Sequence, residues 1–504
     1  MMIFTAFACD DDLTVVENNS ELSNYNLEHS TKAGQTYAST IIVANATELT
    51  AAVNQITAGT LIIIKDGTYA DVDLDLNVSA TQSLPIKIKA ENQGDVIFNG
   101  TSKLSVTGDY ISIEGLTFPT SADVINDEGS YNNYQYCLFS NSIGDIDGAV
   151  VCLDGQHTNF HHCKFNGKTT SGNYINVSVD QNQGSFHKIY RNYFSRPNGS
   201  GNGRSAMRIG HGSMANYEAF VLIERNVFEN CDGESEIISV KSSSNYIRNN
   251  TFKMCRGHFS LRQGNGSVVE ANFFIGDGVK RCGGIAVRGE DHFIFNNYFS
   301  GMRDIETGVI NFGVADDIDQ NRINKGLPGR QFGLTTNIVV CFNTIMNHKS
   351  ICDYDFSYGY GSRNRTHPPS NIHLYNNVSD NSVLYANGVS SVSGLDMQSN
   401  YFAGKSTNTG GATVIPFTIR EVQLAGITVP KANSDFKNIS IALPTNLSQP
   451  ALANGNFSNR DINISKDIFG LLRDVNKDSG CIELALSGNR TNIPLSANDV
   501  GCGF

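Results

Sequence analysis

The chain has 504 residues, of which 40% are hydrophobic and 17% are charged, so it is long enough to bury one large core. Its formal net charge is −12 and its isoelectric point is near 5.4, which argues against a nucleic-acid partner because such proteins need a broad basic surface. An anionic sugar polymer is still a possible partner, provided that the binding groove of the protein is locally basic or carries a metal ion.

The first residues predict export from a bacterial cell. The sequence Ala6–Cys9 resembles a loose lipobox in which Cys9 is the acylated residue, and three aspartates follow it directly. We therefore interpret residues 1–35 as an export-signal remnant and lipoprotein tether, with a periplasmic, extracellular or cell-surface location and an outer-membrane lipid anchor at Cys9. The alternative is an ordinary flexible N-terminus.

A short helix is predicted next. Asn45 and Glu48 have the spacing of a capping box, and apolar residues follow at positions 49, 52, 53 and 56. This spacing gives an amphipathic helix one apolar stripe. Because the end of a solenoid exposes its core and needs a cap, we interpret this segment as an N-terminal cap helix.

A repeat then runs through most of the chain. The pattern Asn-x-Phe occurs at Asn192, Asn226, Asn250, Asn272, Asn297 and Asn400, with weaker copies at Asn343 and Asn376 and a Cys-x-Phe variant at Cys137 and Cys163. Most neighbouring copies are separated by similar intervals, and such a period is typical of a solenoid with one coil per repeat. The surrounding segments are short and β-rich, so residues 36–404 predict an all-β, single-domain right-handed parallel β-helix. Leucine-rich and propeller folds fit less well, because Leu-x-x-Leu-x-Leu patterns and tryptophan are absent.

The repeat also predicts where its side chains lie. We expect the phenylalanines to stack inside the solenoid and the asparagines to lie at turns, where their amides cap backbone groups of the next coil. Residues 405–504 lose the repeat but keep β character. We interpret them as irregular final β coils with a C-terminal cap, and a small separate domain is the alternative.

Four of the eleven cysteines have positions that can be interpreted. Cys231 and Cys255 both stand three residues after a repeat phenylalanine, which favours an inward ladder of thiols over a disulfide. Cys481 and Cys502 lie in the tail and are the better candidates for a disulfide in an exported protein.

The segment Cys231–Ser243, together with Arg262, carries the strongest functional signal. Glu234 and Glu236 are two residues apart, so in a strand both point to one face and can reach one hard cation. Lys241 follows shortly after Glu236, and Arg262 lies close to one repeat length beyond Lys241. Arg262 should therefore lie on the neighbouring coil, where two acids and two cations would converge on one surface.

This spacing contains a geometric problem. The step from Glu236 to Lys241 is odd, so in an unbroken strand Lys241 would face away from the glutamates. We predict a turn or bulge between them, in the segment 239–241. A single flat strand in this segment would contradict the prediction that the two acids and the two cations lie on one surface.

These residues resemble polysaccharide lyase family 6, the β-helical lyases that include alginate lyases and chondroitinase B, a dermatan sulfate lyase. The resemblance runs from about Gly59 to about residue 400 and rests on four motifs taken together. They are Asn202-Gly203 with Arg208-Ile209-Gly210, the segment Gly233–Ser242, Leu261-Arg262 with Gly264-Asn265, and Gly283-Gly284-Ile285 with Gly289–His292.

The resemblance implies a chemistry as well as a fold. The β-helix would be the catalytic domain of an enzyme that cleaves a uronic-acid polymer by β-elimination. Ca²⁺ would be held by Asn202, Glu234 and Glu236 and would neutralise the carboxylate of the substrate. Lys241 would be the base, and Arg262 the acid or the stabiliser of the leaving oxygen. Since the pKa of arginine exceeds about 12, we expect Arg262 to relay a proton from water rather than to donate its own.

Further residues are candidates for binding the substrate. They are Arg208, His211, Arg288 and His292. A glycine-rich loop is interpreted as a sugar-stacking lid, with an ordinary insertion as the alternative. Its aromatic and basic residues are Tyr354, Tyr358, Tyr360, Arg363 and Arg365.

The chain departs from the family pattern at two positions. The family usually carries histidine after the catalytic arginine, where this chain has Gln263. It also carries arginine in Gly-Gly-Ile-Arg-Val, where this chain has Ala286, although Arg288 lies two residues on and can face the same side. Both departures affect the expected substrate contacts.

Alginate is the expected substrate, because Gly289–His292 looks more like the alginate enzymes of the family. Dermatan or chondroitin sulfate, cleaved by the same chemistry, is the close alternative. A pectinase-type inverting hydrolase would need several aspartates on adjacent coils, and the central coils lack such a cluster. A non-catalytic glycan-binding β-helix would explain the repeat but not the register of Lys241 and Arg262 with the acids. Monomer and dimer are both open.

Overall fold

The structure, a computed structural model, describes residues 36–119, 123–140, 148–197, 201, 203–304, 306–380, 384–402, 421–424, 427–430, 464–473, 479–482 and 488–503. The predicted N-terminal helix, α1, spans Ala46–Val53. Asn45 caps it, because its Oδ1 accepts the N–H of Glu48 at 2.9 Å while the Glu48 carboxylate accepts the N–H of Ala44 at 2.8 Å. The buried side of α1 is the predicted apolar stripe.

Three long parallel sheets form the body of the molecule. The strands of sheet A are Ser39–Val43, Thr60–Ile64, Ile86–Ala90, Ile111–Glu114, Asn133–Gln135, Asn159–His161, Lys188–Tyr190, Leu222–Glu224, Tyr246–Arg248, Val268–Glu270, Phe293–Phe295, Thr335–Cys341, Ser370–Tyr375 and Asp396–Gln398, with Gly289–Glu290 paired at its side. The strands of sheet B are Gly67–Ala70, Val96–Asn99, Leu116–Phe118, Leu138–Phe139, Lys164–Phe165, Tyr193–Arg196, Val227–Cys231, Thr251–Lys253, Phe273–Ile275, Tyr298–Ser300, Thr344–Met346, Val378–Ser379 and Tyr401–Phe402. The strands of sheet C are Asp73–Leu76, Lys103–Val106, Ile125–Asp127, Val151–Leu153, Ile175–Val177, Met207–Ile209, Glu236–Val240, Gly257–Leu261, Cys282–Val287, Ile310–Gly313, Tyr354–Tyr358 and Leu384–Tyr385.

Each coil passes through sheets C, A and B in turn, and each strand pairs in parallel with its counterpart one coil later. The predicted right-handed parallel β-helix is therefore confirmed. Smaller elements decorate it. They are the antiparallel pairs Ala315–Asp316 with Arg365–His367 and Glu421–Leu424 with Ile427–Pro430, and a one-turn helix, α2, at Gln320–Ile323.

The repeat asparagines form a ladder inside the turn before sheet B. Asn250 is typical: its Oδ1 accepts the N–H of Asn226 at 3.0 Å, and its Nδ2 donates to the carbonyl of Ile223 at 2.9 Å. These bonds satisfy backbone groups that the turn would otherwise bury unpaired. One member differs from the sequence assignment, because Asn377 rather than Asn376 accepts the next N–H, and Asn376 has the left-handed φ of 52° of the preceding turn position.

The repeat phenylalanines from Phe139 to Phe299 stack along the core as predicted, and Phe98 and Phe118 extend the stack, whereas Phe402 contacts Tyr354 instead. Neighbouring ring centroids are 4.5–5.5 Å apart, close to the spacing of coils in a sheet. The stack consists of Phe98, Phe118, Phe139, Phe165, Phe194, Phe228, Phe252, Phe274 and Phe299.

The cysteines follow one of the two expectations. Cys231 and Cys255 are buried free thiols on adjacent coils, so the predicted ladder is confirmed. The predicted disulfide in the tail is wrong, because the N–H of Cys481 donates to Thr344, whereas Gly501, next to Cys502, donates to the carbonyl of Arg191. Five coils at roughly 4.8 Å each separate these contacts, far beyond the reach of an S–S bond.

The described parts of the last hundred residues lie on the outside of sheet B. Phe469 and Cys481 pack in a hydrophobic cluster with Phe273 and Tyr298. Within the described residues, no strand after Tyr401–Phe402 joins sheets A, B or C. The domain boundaries at residues 35 and 404 stay predictions.

The export tether, residues 1–35 with Cys9, lies outside the described residues. Among the residues that the structure does describe, no helix is both long and apolar enough to cross a membrane.

Candidate active site

The predicted base and acid lie one above the other at the end of sheet C. Lys241, Arg262 and Arg288 each follow the last residue of a sheet C strand, on three successive coils. Each donates its backbone N–H to a carbonyl of the preceding coil, at 2.7 or 2.8 Å, which fixes their register. The sequence prediction that Arg262 lies on the coil next to Lys241 is therefore confirmed, and Arg288 continues the same row.

A bulge solves the odd step between the acid and the base, but it is earlier than predicted. Opposite the next strand, the pairing shifts between Glu236 and Ile238, so one extra residue is inserted there. Ile237 and Ile238 are consequently both buried in the core. After the bulge the strand alternates regularly, and Glu236 and Lys241 emerge on one side. The segment 239–241 itself stays in register.

Glu236 holds the side chain of Arg262. Its Oε1 accepts from Arg262 Nε at 3.0 Å, and the two side chains are 18% and 19% exposed. Ser239 Oγ donates to Glu236 Oε2 at 2.6 Å, and Ser260 Oγ donates to Oε1 at 3.3 Å. Both carboxylate oxygens are thereby fixed, so the guanidinium of Arg262 has a defined orientation.

Glu234 binds a different part of the chain. Its Oε2 accepts the backbone N–H groups of Gly203 and Arg204, the latter at 3.1 Å, and its Oε1 accepts from Ser205 Oγ at 2.6 Å. The glutamate therefore orders residues 203–205, whereas Asn202 lies outside the described residues.

The donor set suits a hard cation. Carboxylate oxygens such as those of Glu234 and Glu236, and an amide oxygen such as that of Asn202, are the ligands that Ca²⁺ takes in proteins. Within the described part of the chain, no group of three or more His, Cys, Asp or Glu could hold a metal ion.

Burial and charge set the protonation of Lys241. Its pKa is lowered from the ordinary lysine value, first because burial penalises the ammonium and further because Arg262 and Arg208 are positive. The negative charges of Glu236 and Glu234 act in the opposite direction. The net effect moves the pKa of Lys241 closer to working pH, so a larger fraction of the amine is neutral and can accept a proton.

Arg208 and His211 lie on the coil before Lys241. Arg208 is on the outer face of sheet C, where it pairs in register with Ser239, and its Nε is buried without a partner among the described residues. His211 is exposed, and its Nδ1 lies 3.1 Å from Ser213 Oγ. The pKa of His211 is lowered by partial burial and then by the charges of Arg208 and Lys241, so the histidine faces the same cationic surface.

Arg288 lies two residues beyond Ala286 and stands in a different row of sheet C. Ala286 pairs with Ser260, whereas Arg288 stands in the row of Arg262. Burial is the main cause that lowers the pKa of Arg288 to about 10. The next coil has Gly313 in this row, and a Cβ there would lie 2.6 Å from Arg288 Cγ and Nε. Glycine therefore makes room for the guanidinium.

Two insertions cover this end of the row. The segment after Ala315–Asp316 brings Phe332 to the arginines, and the Cζ atom of Arg262 lies 4.2 Å from the centre of its ring. Arg365, from the predicted lid, lies 4.6 Å from the same ring. Tyr354 is not part of a lid, because it is a fully buried core residue.

The structure corrects the prediction that His292 binds substrate. Its side chain is fully buried. Its Nδ1 accepts the N–H of Ser267 at 3.0 Å, and its Nε2 lies 3.0 Å from the carbonyl of Arg288. Both ring nitrogens are therefore used between coils, and burial lowers the pKa of His292 to about 4, so the ring is neutral.

Sequence reasoning missed residues that orient the site. Ser239 and Ser260 have the same offset along the chain as Lys241 and Arg262, and this spacing was a usable signal. No sequence signal pointed to Phe332, because it lies in an insertion outside the repeat.

The fold and the comparisons with known proteins place the chain in one class, the β-helical polysaccharide lyases. The chondroitinase B family model matches residues 43–392, and the chain belongs to this family, within polysaccharide lyase family 6. A search of curated proteins finds no match to the chain.

Solved structures agree with this assignment. The PL6 family alginate lyase AlyGC is 27% identical with a TM-score of 0.68, and the match covers 78% of this chain but 55% of that one. This chain thus spans little more than half the length of AlyGC. The PL6 family polysaccharide lyase Pedsa3628 from Pseudopedobacter saltans is 24% identical over 77% of this chain and 97% of that one, with a TM-score of 0.63. A mannuronic acid specific family 6 lyase from human gut microbiota is 23% identical over 75% and 92%, with a TM-score of 0.65. The last two show the fold alone.

Proposed function

We propose that this protein is a polysaccharide lyase that cleaves a uronic-acid polymer, in the first place alginate, by β-elimination. One observation carries the proposal: Lys241, whose pKa is lowered, stands in a row with Arg262, which Glu236 holds at 3.0 Å. A neutral amine beside an oriented guanidinium can remove a proton and stabilise charge on an oxygen of the substrate.

In the proposed reaction Lys241 takes the proton from C5 of the uronate. The electron pair of the C5–H bond forms the C4=C5 double bond, and the C4–O bond to the next sugar breaks. The leaving O4 receives a proton that water supplies, because the pKa of arginine is too high for direct donation. Arg262 stabilises the developing negative charge, and Glu236 keeps it aimed.

The proton at C5 is weakly acidic because the carbanion forms beside a carboxylate. Bound Ca²⁺ would supply the positive charge that neutralises this carboxylate. The proposed holders are Asn202, Glu234 and Glu236, whose oxygens are of the preferred type. The guanidinium group of Arg208 is the proposed contact for the carboxylate of a neighbouring sugar, together with His211 at the edge, whereas Arg288 is only 3% exposed and is not proposed as a contact.

Dermatan or chondroitin sulfate is the second candidate substrate. The observation in its favour is the family model itself, which is that of chondroitinase B. In favour of alginate stands AlyGC, an alginate lyase that is 27% identical over 78% of this chain. The chemistry at C5 is the same for both polymers.

The test is the ultraviolet absorbance of the unsaturated uronate product, with alginate and dermatan sulfate in parallel, with Ca²⁺ and with excess chelator. Lys241→Ala should abolish the signal. Lys253→Ala is the matched control, because Lys253 lies on sheet B and pairs with Glu229 at 3.1 Å, away from the groove. Absence of product from every uronate polymer, with a folded protein, would refute the lyase and favour a glycan-binding β-helix.

We further propose that the protein is exported and held at the membrane surface by a lipid on Cys9, as a monomer or dimer. Metabolic labelling with a fatty acid should mark the full chain but not its Cys9→Ser variant. Equal labelling of both would refute the anchor.

A further inference from the structure

One aromatic ring contacts three arginines at the edge of the groove. The centre of the Phe332 ring lies 4.2 Å from Cζ of Arg262, 4.6 Å from that of Arg365 and 5.1 Å from that of Arg288. Phe332 is only 5% exposed. A guanidinium within about 6 Å of a ring face is attracted by the ring quadrupole, and more strongly when water is excluded.

The loop that carries Phe332 is fastened from two sides. The carboxylate of Asp316 accepts the N–H groups of Gln331 and Phe332 at 3.1 and 3.0 Å. From the groove, Gln263 Nε2 donates to the carbonyl of Gln331 at 3.1 Å. Because Gln263 directly follows Arg262, the backbone that carries the arginine is tied to the loop that carries the ring.

We propose that Phe332 is a positioning residue for Arg262 and that Gln263 fastens it in place. The inference rests on the proposed β-elimination. Two separate contacts hold the guanidinium of Arg262. Glu236 accepts a hydrogen bond from its Nε, and the Phe332 ring packs against it. The Arg262 side chain is still 19% exposed, so part of its guanidinium is left for an oxygen of the substrate.

This arrangement also explains how the cations can stay together. Arg262, Arg288 and Arg365 repel one another, and among the described residues Glu236 is the carboxylate that forms an ion pair with Arg262. The negative face of one shared ring offsets part of the repulsion. At position 263 the chain therefore uses an amide to hold a loop, where the family pattern has a histidine.

The test compares Phe332→Leu, Phe332→Tyr and a matched control. We expect Phe332→Leu to lower kcat by about tenfold with a smaller change in KM, because the misplaced arginine acts on the transition state. Phe332→Tyr keeps the ring and should retain kcat within about twofold. Phe356→Leu removes the same atoms from a buried stack with Phe312 and should leave kcat unchanged. Equal losses for the leucine variants at 332 and 356, or for leucine and tyrosine at 332, would overturn the proposal.

A second comparison tests the hydrogen bond from Gln263 to the loop of Phe332. Gln263→Leu should lower kcat in the same direction, and the double variant with Phe332→Leu should be no slower than Phe332→Leu alone, because both act through one loop. Effects that multiply would overturn the role of Gln263.

A third measurement does not need turnover. The chain has no tryptophan, so Phe332→Trp introduces a single tryptophan, whose emission can be excited separately from that of the 19 tyrosines. Its emission should change when Arg262→Met is added, and an unchanged emission would overturn the contact. If the wild type cleaves no uronate polymer, the proposed function fails while this measurement still decides on the contact.

Discussion

Replacing Glu236 with glutamine should slow cleavage by roughly tenfold through its contact with Arg262, and any weaker binding of Ca²⁺ would add to this loss. Glutamine keeps an oxygen for Arg262 Nε, which lies at 3.0 Å in the wild type, but it places an NH2 group where Oε2 accepts from Ser239 Oγ at 2.6 Å, and it loses the charge. A hydrogen bond to a charged group contributes about 1.5–3 kcal/mol and a neutral one about 0.5–1.5 kcal/mol. The difference of about 1–1.5 kcal/mol corresponds to roughly a tenfold lower kcat, since about 1.4 kcal/mol is one factor of ten.

The same substitution should move the pH profile toward acid. Glu236 raises the pKa of Lys241 against the effect of burial, so its removal lowers that pKa further. A base is active when neutral, and activity is lost as pH falls through its pKa. In Glu236→Gln the acid limb of kcat/KM therefore moves to lower pH. Arg208 lowers the pKa of Lys241, so Arg208→Met should move the acid limb to higher pH.

The assay is kcat/KM as a function of pH at saturating Ca²⁺, followed by the absorbance of the unsaturated product. If the acid limbs of both variants moved in the same direction, or if neither limb moved, Lys241 would be refuted as the base. Glu236→Ala is the harsher comparison. It leaves the half-buried guanidinium of Arg262 without its carboxylate, which typically costs about 3–5 kcal/mol for a buried pair, so it should lose more activity than glutamine.

Two further predictions concern stability. Asn250→Ala leaves the N–H of Asn226 and the carbonyl of Ile223 unpaired in the core, so the free energy of unfolding in urea should fall by roughly 2–5 kcal/mol, and an unchanged midpoint would contradict the ladder. Burial raises the pKa of Asp127 to about 7, above its unfolded value of about 3.9, so its contribution is full below about pH 4 and is lost as pH rises through 7. The melting temperature of the wild type should therefore fall more between pH 5 and pH 8, on the order of a few degrees, than that of Asp127→Asn, and equal falls would exclude Asp127 as the cause.

The repeat made most of the fold predictable. A coil that returns to the same place once per repeat brings side chains at equal phase into one row, so Asn-x-Phe predicted both the ladder and the stack. For the same reason, the separation of Lys241 and Arg262 predicted their adjacency. The register of a parallel sheet follows the hydrophobic pattern of its strands, so an even spacing of the repeat predicts it where no bulge intervenes.

Where the sequence went wrong, the cause was local departure from that register. The bulge lies at Glu236–Ile238 because two isoleucines both enter the core, and alternation alone cannot place an extra residue. His292 was expected in the groove, but its turn directs it between coils.

The sequence by itself determined the solenoid and the row of Lys241 and Arg262 on one sheet, because these depend on spacing within regular coils. Only the tertiary structure decided which residues surround that row. Phe332 reaches Arg262 from a distant part of the chain through an insertion. The segments around Cys481 and Cys502 pack against distant coils although the two cysteines are close in the chain. Insertions and the tail have no period, so their places depend on packing against the finished solenoid rather than on any local pattern.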